Sequence, residues 1–152
     1  MKCIIQRTSR AAVVVDAKEV GAIGRGLVVL VGIHKDDGAA DLRWMAERLV
    51  GLRIFTDDAG KMNLSVGQIG GGILIIPNFT LCAQTGKGHR PSFIDAMPPD
   101  RSSPMFDEIA SAIAAAGIPV ARGVFGAHME VSLINDGPVT ITLDSHEHVK
   151  RT

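Results

Sequence analysis

The chain holds two cysteines, one tryptophan, no tyrosine and no net charge, and each shortage excludes something. Cys3 and Cys82 cannot build a disulfide framework or a four-thiolate zinc centre, so a reducing, cytoplasmic setting is expected. With 16 Lys+Arg against 16 Asp+Glu there is no basic field to coat nucleic acid non-specifically. DNA is therefore not an expected partner, while a grip on the tip of an RNA stays compatible. The longest apolar run, Leu27–Ile33, falls far short of the roughly 20 residues a membrane helix needs. The start, Met1-Lys2-Cys3-Ile4-Ile5-Gln6-Arg7, turns polar too early for a signal peptide. Motifs are missing too: G-x-S-x-G, H-E-x-x-H, a Walker loop and G-x-G-x-x-G are all absent.

What is present suits one domain. The 152 residues are 46% hydrophobic and 21% charged, enough to close a core and too apolar for disorder. Lys2–Gln6, Ala11–Val15 and Val20–Ile23 have strand character, with a turn at Asp16-Ala17-Lys18-Glu19. Leu27–Ile33 is continuously apolar and predicts a central strand covered on both faces. A three-strand meander is the simplest arrangement. Leu42, Met45, Ala46 and Leu49 recur at helical spacing and predict a helix over 38–51. Arg53–Thr56 and Ile73–Ile76 return to strand, the latter ended by Pro77. Residues 84–104, rich in Gly and Pro, predict a long functional loop. A second helix starts around Pro104, carries Phe106, Ile109, Ala110 and Ile113 on one face, and stops at Gly117. Met129–Leu133 and Val139–Leu143 alternate and predict a hairpin with Asn135-Asp136-Gly137-Pro138 at its tip. Residues 145–152 form a polar tail expected to fray after the domain of 1–144.

The side chains offer little conventional catalysis. Cys82 with His89 is a conceivable thiol and base, but a cysteine after a strand end is more often a small buried hydrophobe. Thr80 stands where a buried strand breaks into the long loop, a place where a hydroxyl usually caps backbone. His34 and His128 each stand alone, and His146 with His148 reads as a solvated tail rather than a metal site. No metal or other cofactor is expected. A Gly-Pro bond is cis in only about 5–6% of folded cases, so composition favours a plain trans turn at Gly137-Pro138. A cis bond there would present two fixed backbone carbonyls with no side chain in the way.

Four segments together resemble one family. They are Ile5-Gln6-Arg7, the run from Arg53-Ile54-Phe55 to Gly60-Lys61-Met62-Asn63-Leu64, Arg90-Pro91-Ser92-Phe93, and Met129 to Thr140 with its Asn135-x-Gly137-Pro138 core. With Phe79-Thr80-Leu81 they are similar to the D-aminoacyl-tRNA deacylases. The resemblance implies an α/β (α+β) fold of mixed, largely antiparallel sheets forming a barrel-like core with two main helices. It implies a homodimeric hydrolase acting on the ester at the 3′ end of D-aminoacyl-tRNA, and on glycine mischarged to tRNA(Ala). Gly137 and Pro138 would form a cis chiral filter reaching into the partner's site, supported by Arg7. Phe79 and Thr80 would carry catalysis, with backbone N–H donors and the ribose 2′-OH doing the chemistry. Asn78, Phe125 and Met129 would line the adenosine pocket, and Lys87 and Arg90 would meet phosphates. The family motif usually reads Ser-Gln-Phe-Thr-Leu, where this chain has Pro77-Asn78-Phe79-Thr80-Leu81, a departure that bears on stringency against L-amino acids. Two alternatives follow: an editor of relaxed chirality, and a non-catalytic dimeric module that binds an amine or an RNA end.

Overall fold

A single 14-residue strand, β1 (Lys2–Val15), organises the sheet. The computed structural model describes residues 1–86 and 88–150. The C-terminal half of β1 turns back through Asp16 and Ala17, both at positive φ, and pairs antiparallel with β2 (Lys18–Ile23). Its N-terminal half pairs antiparallel with β3 (Gly26–Gly32). The meander expected from sequence is therefore corrected: β1, not β2, lies in the middle. One long strand offers two lengths of edge, so its neighbours in sequence take one each.

β3 is buried along nearly its whole length, because both its faces are covered. Leu27, Val29 and Val31 face the helices, whereas Val28 and Leu30 face a second cluster with Val13, Leu74 and Ile76. Helix α1 (Ala39–Gly51) supplies Met45 and Leu49 to the first layer. It opens at Gly38, whose N–H is taken by the Asp41 carboxylate at 3.0 Å, a side chain answering an N–H the helix itself leaves unpaired. A small hairpin of β4 (Phe55–Thr56) and β5 (Met62–Leu64) follows. β6 (Gly72–Pro77) then runs parallel to β3, and β7 (Val120–Arg122), a strand the sequence pattern did not reveal, runs parallel to β6. Between them α2 (Pro99–Ala115) buries Phe106, Ile109, Ala110 and Ile113. It begins five residues before the predicted Pro104, which lies on its exposed side. Pro99 is the proline that occupies the first turn, where a missing N–H costs nothing.

The largest correction concerns the C-terminal hairpin. Residues 130–144 form one strand, β8 (Glu130–Asp144), antiparallel to β1. Gln6 pairs with Thr140 and Thr8 with Asn135. Two residues of progress along β1 are thus matched by five along β8, and the surplus carrying Gly137 and Pro138 is pushed out as a wide bulge. Both halves of the predicted hairpin find the same continuous partner, so they do not pair with each other. The result is a mixed α+β architecture, a barrel-like sheet flanked by two helices.

Candidate active site

Parallel β3 and β6 end side by side, and ligand sites collect beyond the carboxyl ends of such strands. Pro77 offers no N–H, and pairing resumes one residue later with Asn78 N–H donating to the Val31 carbonyl at 2.7 Å. The chain then enters a single 3-10 turn, Phe79–Cys82. A Cβ on Gly32 would stand 2.7 Å from the Leu81 Cβ, so only glycine lets this turn fold back over β3. The N–H groups of Phe79 and Thr80 open the turn, where helical geometry supplies no internal partner.

In front of the turn lies an apolar cavity of about 400 Å³ lined by Val31, Ile33, Asn78, Phe79, Phe93, Met97 and Phe125, with Ser102 from the first turns of α2. None of its described lining residues titrates. Phe79 is 58% exposed and meets Phe93 edge to face, ring centres 5.1 Å apart. The segment carrying Phe93 is pinned from both sides. Met97 N–H donates to Ile33 at 2.9 Å and Lys35 N–H to the Asp95 carbonyl at 2.8 Å. The Asp95 carboxylate receives Lys35 Nζ at 2.6 Å and also Gln84 Nε2. Those two donors hold its carboxyl below the usual range.

The Thr80 hydroxyl donates to Asn78 Oδ1, an amide oxygen with no basicity to spare. Such a partner orients the hydroxyl but does not take its proton. Cys82 is buried and burial raises its thiol pKa, whereas His89 is exposed; a thiolate pair is not assembled here. Phe79, Thr80, Asn78 and Phe125 thus come together. Met129 does not line this cavity: it packs with the second cluster, and its sulfur lies 3.3 Å from Val124 N. Arg90 is exposed on the adjoining loop, and Lys87 lies outside the described residues. Sequence reasoning had not placed Val31, Ile33 or Ser102 here, since only the tertiary fold brings the end of β3 and the first turns of α2 to one mouth.

The Gly137–Pro138 peptide bond is cis, the isomer that the resemblance implies and that base frequency counts against. Both residues are exposed, and neither lines the cavity of its own chain. Buried Arg7 reaches the bulge, donating from Nε to the Asp136 carbonyl at 2.8 Å and from Nη1 to Ile54 at 2.6 Å. Its Nε is also 3.3 Å from the Asp136 carboxylate.

The tail from Ser145 to His148 does not fray as expected. Ser145 is fully buried, receives the Met1 ammonium at 2.7 Å and donates to Asp41 at 2.5 Å. His146 Nε2 lies 2.8 Å from Asp37, and His148 stacks on Trp44. Asp37, Asp41 and His146 lie close enough together to bind an ion, yet the Met1 ammonium already sits against Asp37 at 2.5 Å. These polar side chains are spaced for docking onto α1, which a linear pattern does not display.

Residues 4–144 match the family model for D-Tyr-tRNA(Tyr) deacylase. A relative from Geobacter sulfurreducens, described as D-aminoacyl-tRNA deacylase, is 51% identical over 152 residues, covering 100% of both chains. One of the same description from Deinococcus radiodurans is 51% identical across 95% of this chain and 99% of its own. Among solved structures, the c-Myc DNA Unwinding Element Binding Protein superposes with a TM-score of 0.89 at 38% identity, covering 95% of this chain and 98% of its own. A probable eukaryotic D-amino acid tRNA deacylase shares the fold at a TM-score of 0.79 and 21% identity, covering 93% and 97%.

Proposed function

This chain belongs to the D-Tyr-tRNA(Tyr) deacylase family, enzymes that hydrolyse the ester between a D-amino acid and tRNA, and from that premise we propose how its own residues do so. The carrying observation is a cavity with aromatic walls, turn amides at its mouth and no titratable group among its described lining residues. Such a site suits a substrate that brings its own reactivity. An aminoacyl ester beside a ribose hydroxyl is activated already, so positioning and oxyanion stabilisation are what remain for the protein to supply.

The terminal adenosine enters the apolar cavity, with Phe125 against the base, and the ester carbonyl meets the N–H groups of Phe79 and Thr80. Water adds to the carbonyl carbon, and the carbon–oxygen bond to the ribose breaks. The 2′-OH relays the proton from the water to the departing ribose oxygen. Asn78 and Thr80 hold the turn in place rather than exchanging protons. Gly137 and Pro138 act across a homodimer, since they are exposed and lie off the cavity of their own chain. Their carbonyls hold the α-amino group so that an L side chain collides with the filter, a specificity built by clash. Glycine, with no side chain to collide, is accepted as well. A cytoplasmic location goes with this reading, and no helix among the described residues is long and apolar enough to cross a membrane.

The test is deacylation of matched D-tyrosyl-tRNA and L-tyrosyl-tRNA with EDTA present throughout. Fast loss of the D-ester with the L-ester intact is the expected result. Cleavage of both would mean that the Gly137-Pro138 filter is open in a chain carrying Pro77-Asn78, and cleavage of neither would point to the binding module. Sedimentation gives the dimer its own check, with a mass near twice 16.1 kDa expected.

A further inference from the structure

We propose that Asn135 is a positioning residue for this reaction: its carboxamide closes the neck of the β8 bulge and thereby aims the Gly137 and Pro138 carbonyls. The inference rests on the reading that this bulge contacts the aminoacyl group. At the neck, Asn135 Oδ1 accepts the Val139 N–H at 2.8 Å, and Asn135 Nδ2 donates to the Val139 carbonyl at 3.2 Å. One planar amide thus meets both backbone groups of one residue. That is the two-bond exchange an opposite residue makes in an antiparallel ladder. The register between β1 and β8 shifts between Gln6 and Thr8 at this level, so the regular ladder breaks beside Val139. The Asn135 side chain meets Val139 at that break.

The clasp has its own support. Nδ2 also lies 3.4 Å from Thr140 Oγ1, which in turn accepts from Gln6 Nε2 at 3.1 Å. On the other limb, Arg7 holds the Asp136 carbonyl. The two residues of the filter therefore hang between two tethers, residue 136 on Arg7 and residue 139 on Asn135. Glycine has no side chain with which to set its own carbonyl, and proline has no N–H to anchor. Their direction is inherited from the limbs, and a shift of about 1 Å at such a point costs on the order of 100-fold in rate. Only asparagine and glutamine carry a carboxamide, with acceptor and donor on one carbon, and the extra methylene of glutamine would overshoot Val139.

The experiment uses the full chain with Asn135→Ala, Asn135→Asp and Gly137→Ala, measuring kcat and KM on D-tyrosyl-tRNA, the rate on L-tyrosyl-tRNA, and the thermal midpoint. For Asn135→Ala we expect kcat to fall about tenfold or more, KM to change little, and the preference for the D-ester to narrow. Asn135→Asp keeps the acceptor for Val139 N–H and loses the donor, and should fall between wild type and alanine. A lowered thermal midpoint with kcat, KM and D-over-L preference all unchanged would make Asn135 a purely structural residue and overturn the proposal. If the alanine variant does not fold, an aspartate variant indistinguishable from wild type overturns it equally. Loss of turnover in Gly137→Ala beside unaffected Asn135 variants would sink the clasp alone. Full activity and selectivity in Gly137→Ala would remove the filter reading itself, and the clasp with it.

Discussion

Two regions of this molecule invite comparison. Around Asp37 the structure packs the Met1 ammonium, His146 and the His34 backbone N–H within hydrogen-bond distance, with Ser145 linking that ammonium to Asp41, and the Asp37 side chain is fully buried. Around Phe79 there is a cavity, with not one titratable group in its described lining. A search for clustered charge would choose the first region as the active site. The chemistry favours the second. Buried charge here fastens Met1 and the segment from Ser145 to His148 to Asp37 and α1, while the ester needs a dry, shaped wall and backbone donors. Charge density marks the joint of this fold, and its scarcity marks the proposed site.

The sharpest way to break that contrast is Gly137→Ala. A Cβ there would stand 2.2 Å from Val139 N and 2.8 Å from its Cγ2, so the bulge must move. Turnover of the D-ester should drop about 100-fold or more with the far-ultraviolet circular dichroism retained, and full turnover would mean the bulge is idle. Asp37→Ala should do the reverse, destabilising by about 3–5 kcal/mol in urea titrations by stranding its buried partners. Its kcat below the melting range should stay within about twofold, and a kcat that collapses first would dissolve the distinction between the regions. Phe125→Ala should weaken the substrate's hold by about 1–3 kcal/mol, the worth of one base stacked on one ring, visible as a raised KM.

Smaller effects sharpen the picture. Thr80→Ala should keep kcat within about threefold, because the Asn78 amide is no base; total loss in a folded protein would restore Thr80 as nucleophile. Finally, desolvation, followed by the neighbouring His146, holds the His34 imidazole below its ordinary value, against the pull of Asp37, Asp36 and Asp95. The unfolded chain then takes up that proton more readily than the folded one. Its contribution to stability is intact above about pH 6.5, the value of a free imidazole. It is lost as pH falls through that value toward the lower folded pKa. Melting temperature should decline slightly over that window, and His34→Gln should flatten the decline.

Much of the fold was legible from periodicity. Leu27–Ile33 and Ile73–Ile76 announced buried strands, and Leu42, Met45, Ala46 and Leu49 announced α1 within one residue. What misled was partner choice. Asn135-Asp136-Gly137-Pro138 is turn chemistry on any local reading, yet turn residues serve equally at a bulge, and β1 offered both flanking segments a longer edge than they offered each other. The tail misled similarly, since Ser145, His146 and His148 look solvated until Asp41, Asp37 and Trp44 face them.

By itself, then, the sequence determined the buried layers, the absence of conventional nucleophile motifs and, through its motifs, the family. These depend on residue type and spacing along one chain. The tertiary structure alone decided that β1 lies centrally, that Phe79, Phe93 and Phe125 share one cavity, and that Gly137 and Pro138 project from a strand rather than cap a hairpin. Each of those outcomes is a competition between distant segments for one edge or one face, and a local pattern carries no term for its rival.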